Sequence, residues 1–352
     1  MAKVKAKKAR PISSPLARSM REEIDEAKDP EEIMSLNSPE VPLTVKDVIS
    51  TGLPNLDKNL ACSVDGRWGL PVGRIISVKA KPSVGKTSFL LNVAREVVRR
   101  GGSGHVVESE HALDLSYCKK ICPGFEENFF ISQPEILEGA FQAIEHAIDM
   151  CIIARKKSHS DAPFVILVDS FSGFMTGAEL DGDYTNRGKA LGEHARLASL
   201  ACRKLTGQLA RARATLLLSH QTKAKIGVFW GNPDTNIGGD AFNYHDSICI
   251  SLYRTAALKD GKQINGHYGV AKTTKNKLFP PFREARIKVV NGLGFSKHFA
   301  IFDMLMSNGT LKKSGAWYKL EGYPDKFQGE SGFSKFLRNP KARAAVLKAM
   351  KV

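Results

Sequence analysis

Residues 74–88, RIISVKAKPSVGKTS, constrain this chain most. An apolar run (Ile75, Ile76, Val78) leads straight into a short loop that ends in Gly85-Lys86-Thr87. Such a run between turn residues reads as a buried strand, and the residues after it as a helix starting at about Lys86. A helix N-terminus facing a tight loop offers unpaired backbone N–H groups and the positive end of a dipole, which together form an anion cradle. In that reading the cradle is Ala80, Lys81, Pro82, Ser83, Val84, Gly85, Lys86, Thr87 and Ser88. Lys86 reaches the β- and γ-phosphates, the Thr87 hydroxyl holds Mg²⁺ and Gly85 lets the backbone pass close by. The full pattern G-x-x-x-x-G-K-[ST] has glycine where this chain has Ala80. The competing reading is a plain strand-turn-helix in which Lys86 is a solvated first-turn lysine.

The rest of the chain bears on that choice. With 352 residues, 42% of them hydrophobic, it can bury a large core and carry small appendages. No apolar run reaches membrane-spanning length, and the lysine-rich start is unlike a signal peptide, so a soluble, cytoplasmic protein is expected. The six cysteines show no C-x-x-C spacing and read as reduced thiols. The net charge of +16 is unevenly spread: residues 1–21 hold seven Lys/Arg and no acid, and residues 331–352 hold six and no acid. Basic ends of this kind attract nucleic acid or anionic membrane without sequence preference, or simply keep a tail solvated.

Taken in order, residues 1–15 read as a disordered basic tail and Leu16–Lys28 as a short charged helix, with a small apolar patch at Ile33-Met34-Ser35-Leu36. From residue 49 to 293 short apolar runs alternate with helical patterns. Helices are expected at 88–100, 111–121, 136–156 and 188–213, and strands at 105–109, 164–168 and 215–219. This is an α/β core with a mostly parallel sheet covered on both faces. After Ser247 an antiparallel extension follows, and residues 294–352 form a small α+β C-terminal domain.

Ligands of open α/β sheets collect at the carboxyl ends of the strands. Beyond the phosphate loop, those ends carry Ser109-Glu110, Asp169-Ser170 and His220-Gln221. Asp169 suits Mg²⁺ through its water shell, Glu110 suits a general base near the γ-phosphate, and Gln221 can sense that phosphate or the water. With Lys86 they make an ATP-hydrolysing set.

Several longer motifs accompany these residues: ISTG with Leu56-Asp57 (49–57), GLPVGRI (69–75), SEHALD (109–114), KIGVFWGNPDT followed by GG (225–239), KNK with Pro281-Phe282 (275–282) and SGAWY (314–318). From about residue 33 onward the chain resembles the RecA-type recombinases of bacteria and bacteriophages. The resemblance implies a P-loop ATPase core with Glu110 as catalytic base, Tyr117 stacked on adenine, Asp114 within the nucleotide motif and Gln221 coupling the γ-phosphate to DNA. It implies that Lys275 and Lys277 reach the ATP of a neighbouring subunit, and that residues 16–48 serve polymerisation into a helical filament. DNA contacts fall in two loops, at about 181–192 and 222–239. Leu191, Arg196, Lys223, Lys225, Ile226, Phe229 and Trp230 match contact positions, a cationic and stacking mixture suited to single strands. The implied partners are single-stranded DNA and a homologous duplex, with no membrane.

The chain also departs from the bacterial pattern. The first loop is about two residues longer, His220 stands in place of asparagine, and the chain ends LKAMKV without an acidic tail, so readier loading on DNA is expected. The expected activity is ATP-dependent strand exchange in recombination and repair. The rivals are a RecA-fold helicase-type motor and a non-catalytic DNA-binding paralogue.

Overall fold

The computed structural model describes residues 45–60, 62–181, 192–224, 234–236 and 241–350. The charged helix expected at 16–28, the patch at 33–36 and most of the two loops expected to contact DNA lie outside the described residues.

Continuous apolar runs build the centre. The strands are β1 (Ile75–Ala80), β2 (Ser103–Glu108), β3 (Phe129–Ser132), β4 (Phe164–Asp169), β5 (Ala214–Ala224), β6 (Asp234–Asn236), β7 (Ile248–Asp260), β8 (Gln263–Asn276), β9 (Glu284–Val290) and β10 (Gly294–Phe295). They form one ten-stranded sheet in the order β10-β9-β8-β7-β1-β5-β4-β2-β3, with β6 paired to β5. From β7 to β3 every neighbour is parallel. From β7 to β10 every neighbour is antiparallel, as the turn-rich pattern after Ser247 implied.

Period-two alternation gives the sheet two apolar faces. Ile76, Val78, Val165, Leu167 and Leu217 face helix α1 (Lys86–Val98) and helix α2 (Leu115–Ile121), where Phe89, Val93, Val97 and Ile121 join them. Ile75, Ile166, Val168, Leu216 and Leu218 face helices α3 (Leu137–Ser158) and α4 (Glu193–Ala212), which supply Ile144, Ile148, Cys202 and Leu205. A sheet buried on both faces needs continuous apolar strands, which is why these runs show no polar alternation.

The ISTG and Leu56-Asp57 motif closes a knot beside α1. Thr51 donates its N–H and its hydroxyl to Asp57 Oδ1 at 2.8 and 2.6 Å, and Asn92 Nδ2 donates to the Thr51 carbonyl at 2.5 Å. Gly52 sits there at φ +79°, and a Cβ on it would lie 2.5 Å from Asn92 Nδ2, so the close approach requires glycine.

Helix α5 (Ala241–His245) leads into β7, and helix α6 (Lys297–Ser307) follows β10. Beyond α6 a three-stranded antiparallel sheet and two helices, Gly329–Phe336 and Pro340–Met350, enclose a separate apolar cluster of Phe302, Leu305, Leu320, Phe327, Phe333 and Val346. All six cysteines are free and buried. No helix among the described residues is long and apolar enough to cross a membrane.

Some expected boundaries move. The helix expected from His111 starts at Leu115, because Asp114 adopts extended backbone and caps it, accepting from Tyr117 N–H at 2.7 Å. The strand expected at 215–219 runs on to Ala224, where β6 pairs with it in the register Thr222 with Asn236 and Ala224 with Asp234. The second loop is therefore rooted in a β-ribbon. Strand β3 escaped the sequence pattern because it is short and follows the four-residue helix Phe125–Asn128 directly.

Candidate active site

Strand β1 is flanked by β5 and β7, while the next strand in sequence, β2, lies two places beyond β5. The chain thus reverses direction across the sheet at β1, and a crevice opens at the carboxyl ends there. Ala80 closes β1 fully buried, and the loop turns through Ser83 at φ +60° and Gly85 at φ +105°, the latter capping α1. The left-handed Gly85 aims the first N–H groups of α1 into the crevice.

The resulting cleft, about 590 Å³, is lined by Pro82, Ser83, Gly85, Lys86, Thr87 and Ser88, by Glu110 and Tyr117, and by Asp169 and Gln221. It is completed from the antiparallel extension by His267 and Val289–Gly292. Residues from four strand ends and two helices therefore meet at one place.

Lys86 is only 8% exposed. Burial holds its ammonium below the usual lysine range, while Asp169 and Glu110 oppose that shift. Thr87 donates its hydroxyl to Asp169 Oδ2 at 2.5 Å, and Ser219 donates to Asp169 Oδ1 at 2.7 Å. Burial raises the Asp169 carboxyl, and these two hydroxyls pull it back. A hydroxyl and a carboxylate this close form an oxygen-only donor set suited to a hard divalent cation that keeps water and phosphate oxygens as its other ligands. Among the described residues no group of three or more His, Cys, Asp or Glu could hold a metal alone.

Glu110 stands at the opposite wall. Its Oε1 accepts from Ser170 Oγ at 2.7 Å and from Gln221 Nε2 at 2.8 Å. Gln221 is itself held, its N–H donating to Ser172 Oγ at 3.0 Å. Below Glu110, the buried Glu108 accepts from Ala112 N–H and from Gln133 Nε2, both at 2.9 Å, and so ties down the loop that carries the catalytic candidate. Tyr117 lines the cleft with its hydroxyl 2.6 Å from Ser88 Oγ.

Other expected residues lie elsewhere. Asp114 is spent on capping α2, and it, Lys81, Val84 and Ala80 are absent from the cleft lining. His220, read as a strand-end polar group, is buried on the far face of β5, with Nε2 3.2 Å from Ser77 Oγ and its ring against Phe171 and Phe242. Burial pushes it down to about 3, so it is neutral. Lys275 and Lys277, at the end of β8, do not line the cleft of their own chain. Arg196 is exposed in the first turn of α4, 3.5 Å from Glu193. Lys223 pairs through its backbone with Thr235, and Leu191, Lys225, Ile226, Phe229 and Trp230 lie outside the described residues. Ser170 follows Asp169 at a strand end, but nothing in the sequence pattern marks Ser172, Ser219 or His267, which only the sheet order brings to the crevice.

Comparison with known proteins agrees with this geometry. The family model for the RecA N-terminal domain matches residues 16–296. Protein RecA of Acidiphilium cryptum is 38% identical over 302 residues, covering 85% of this chain and 82% of its own length. Protein RecA of Desulforapulum autotrophicum is 37% identical over 290 residues, covering 82% and 78%. Protein RecA of Rhodospirillum centenum is 37% identical over 317 residues, covering 90% and 83%. With the phosphate-loop crevice, its carboxylate wall and this match over most of its length, the chain belongs to the RecA family.

Proposed function

We propose that this protein is an ATP-dependent DNA recombinase that polymerises head to tail on single-stranded DNA, pairs it with a homologous duplex in the cytoplasm and hydrolyses ATP at a site shared by neighbouring subunits. The observation that carries the reading is the bond from Gln221 to Glu110. It links the candidate base directly to the β-ribbon that roots the second DNA loop. A DNA-dependent shift of that ribbon would release or aim the carboxylate.

In this reading, Lys86 and the N-terminus of α1 bind the β- and γ-phosphates, and Thr87 and Asp169 hold Mg²⁺. When bound there, the cation would supply charge neutralisation to the phosphate oxygens. Glu110 takes a proton from the attacking water, with Ser170 and Gln221 fixing its orientation. Tyr117 packs against the adenine. As the resemblance to the RecA family implies, Lys275 and Lys277, which lie outside their own chain's cleft, serve the neighbour's phosphates and stabilise the charge that moves onto them during transfer. Self-association is supported by strand β3, an edge strand among the described residues with Phe130 and Ile131 exposed, a combination that isolated proteins avoid.

The test is a set of variants assayed for single-stranded-DNA-stimulated ATP hydrolysis and for filaments by negative-stain imaging. Lys86→Ala is expected to lose ATP-dependent filaments, and Glu110→Gln to keep filaments with turnover reduced at least a hundredfold. Mixing Lys277→Ala with Lys86→Ala is expected to restore turnover, since some interfaces then pair an intact loop with an intact lysine. Closed rings in place of helical filaments, or an absence of strand exchange, would overturn the recombinase reading.

A further inference from the structure

Asp246 is a buried acid that the proposed chemistry leaves unused. It sits between α5 and β7, fully buried, and neither carboxylate oxygen has a donor in full hydrogen-bond geometry, although the Ser77 hydroxyl acts on the carboxylate. A buried acid held this loosely is costly, so its place in the fold calls for a reason. The surroundings supply one. The Ser77 hydroxyl of β1 favours its charged form, and so do Lys79 of the same strand, Lys275 at the end of β8 and Lys277 just beyond it. The other titratable groups facing it are the thiols of Cys202 on α4 and Cys249 on β7.

The backbone around Asp246 also grips one of those lysines. Lys277 Nζ donates to the carbonyl of Tyr244 at 2.9 Å and lies 3.5 Å from that of His245. The Lys277 N–H donates to the Ser247 carbonyl at 2.8 Å, and the Asp246 N–H to Phe242 at 2.8 Å. The turn centred on Asp246 thus holds Lys277 from both sides, with Lys275 two residues earlier, at the end of β8. It is also the end of α5, the first helix after the second DNA loop.

We propose that Asp246 is a positioning residue for Lys275 and Lys277, holding their ammonium groups where a neighbouring copy's cleft receives them. This rests on the shared-site reading above. Lys79 and Lys277 disfavour the charged form of Lys275, and a single buried carboxylate offsets that repulsion. Burial pushes Asp246 up to about 7, with Ser77 and the three lysines pulling the other way. The carboxylate is therefore ionised above about pH 7 and neutral below it. Its hold on the lysines weakens as pH falls through that value, and turnover falls with it.

The experiment measures DNA-stimulated ATPase between pH 6 and 8.5 for the parent, Asp246→Asn and Asp246→Ala. The alanine variant, which leaves no polar atom to bury, covers the case in which the asparagine variant misfolds. Either variant is expected to lower kcat at least fivefold with KM for ATP within twofold, and to lose the fall in kcat near pH 7. Mixing it with Lys86→Ala is expected to restore about half the parent rate per variant subunit. Random neighbours place an intact Asp246 next to half of the intact loops, because the head-to-tail contact is heterologous. A merely structural role would act within the variant's own subunit, and mixing would not help. Failure of that mixture, while Lys277→Ala mixed with Lys86→Ala recovers, overturns the assignment of Asp246. Failure of both mixtures overturns the shared site itself.

Discussion

The two donors on Glu110 Oε1 allow a quantitative test of how the carboxylate is aimed. Ser170 Oγ lies 2.7 Å and Gln221 Nε2 2.8 Å from that oxygen. A hydrogen bond to a charged group contributes roughly 1.5–3 kcal/mol, and the open cleft places each of these near the lower end. A loss of about 1.5 kcal/mol in the transition state corresponds to roughly a tenfold fall in kcat. Ser170→Ala and Gln221→Ala are each expected to show that fall in steady-state, DNA-stimulated ATP hydrolysis. Both donors fix one oxygen, so the double variant is expected to fall well short of a hundredfold, with a coupling of about 1 kcal/mol. Gln221→Ala is further expected to lose the ratio of DNA-stimulated to basal turnover, because Gln221 adjoins the β-ribbon, whereas Ser170→Ala keeps it. Single variants within twofold of the parent, alongside a Glu110→Gln variant that does not turn over, would refute the idea that these bonds aim the base. A full hundredfold loss in the double variant would show that they act on separate events.

Two further outcomes follow from the core. Phe89 is fully buried and meets Phe295 edge to face with centroids 5.8 Å apart, joining the helix of the phosphate loop to the last strand of the sheet. Phe89→Ala is expected to cost about 3–5 kcal/mol in urea unfolding; a loss under 1 kcal/mol would show that this contact does not anchor α1. Burial pushes the thiols of Cys62 and Cys118 up to about 11 and those of Cys122 and Cys202 up to about 12. A thiol-specific reagent at pH 8 is therefore expected to label the native protein slowly and all six cysteines once it is unfolded, and rapid native labelling would contradict that burial.

Much of the site could be read from the chain because the polar residues that close an apolar run mark where a strand reaches the crevice, even where, as in β5, the strand itself continues. Lys86, Thr87, Glu110, Asp169 and Gln221 all follow such runs, and all five line one cleft. Asp114 and His220 show the limit of that rule. Asp114 follows the same strand as Glu110, but an extended residue before a helix is a cap, and its carboxylate turns to Tyr117 N–H. His220 neighbours Gln221, but successive residues of a strand point to opposite faces, so one enters the cleft and the other the core.

Local chemistry is what a sequence carries by itself. The apolar runs, the turn residues and Gly85-Lys86-Thr87 determine a strand, a loop and a helix with an anion cradle between them, and the motifs determine the family. The tertiary structure decided which distant residues share that cradle. Strand order places Ser219 beside Asp169, Ser170 and Gln221 on one oxygen of Glu110, and the 289–292 turn across from the phosphate loop. It also buried Asp246 within the electrostatic reach of Lys79 on β1, Lys275 at the end of β8 and Lys277 just beyond it. Such contacts depend on which strands become neighbours, and that is settled by packing both faces of the sheet together, a property that no single stretch of chain contains.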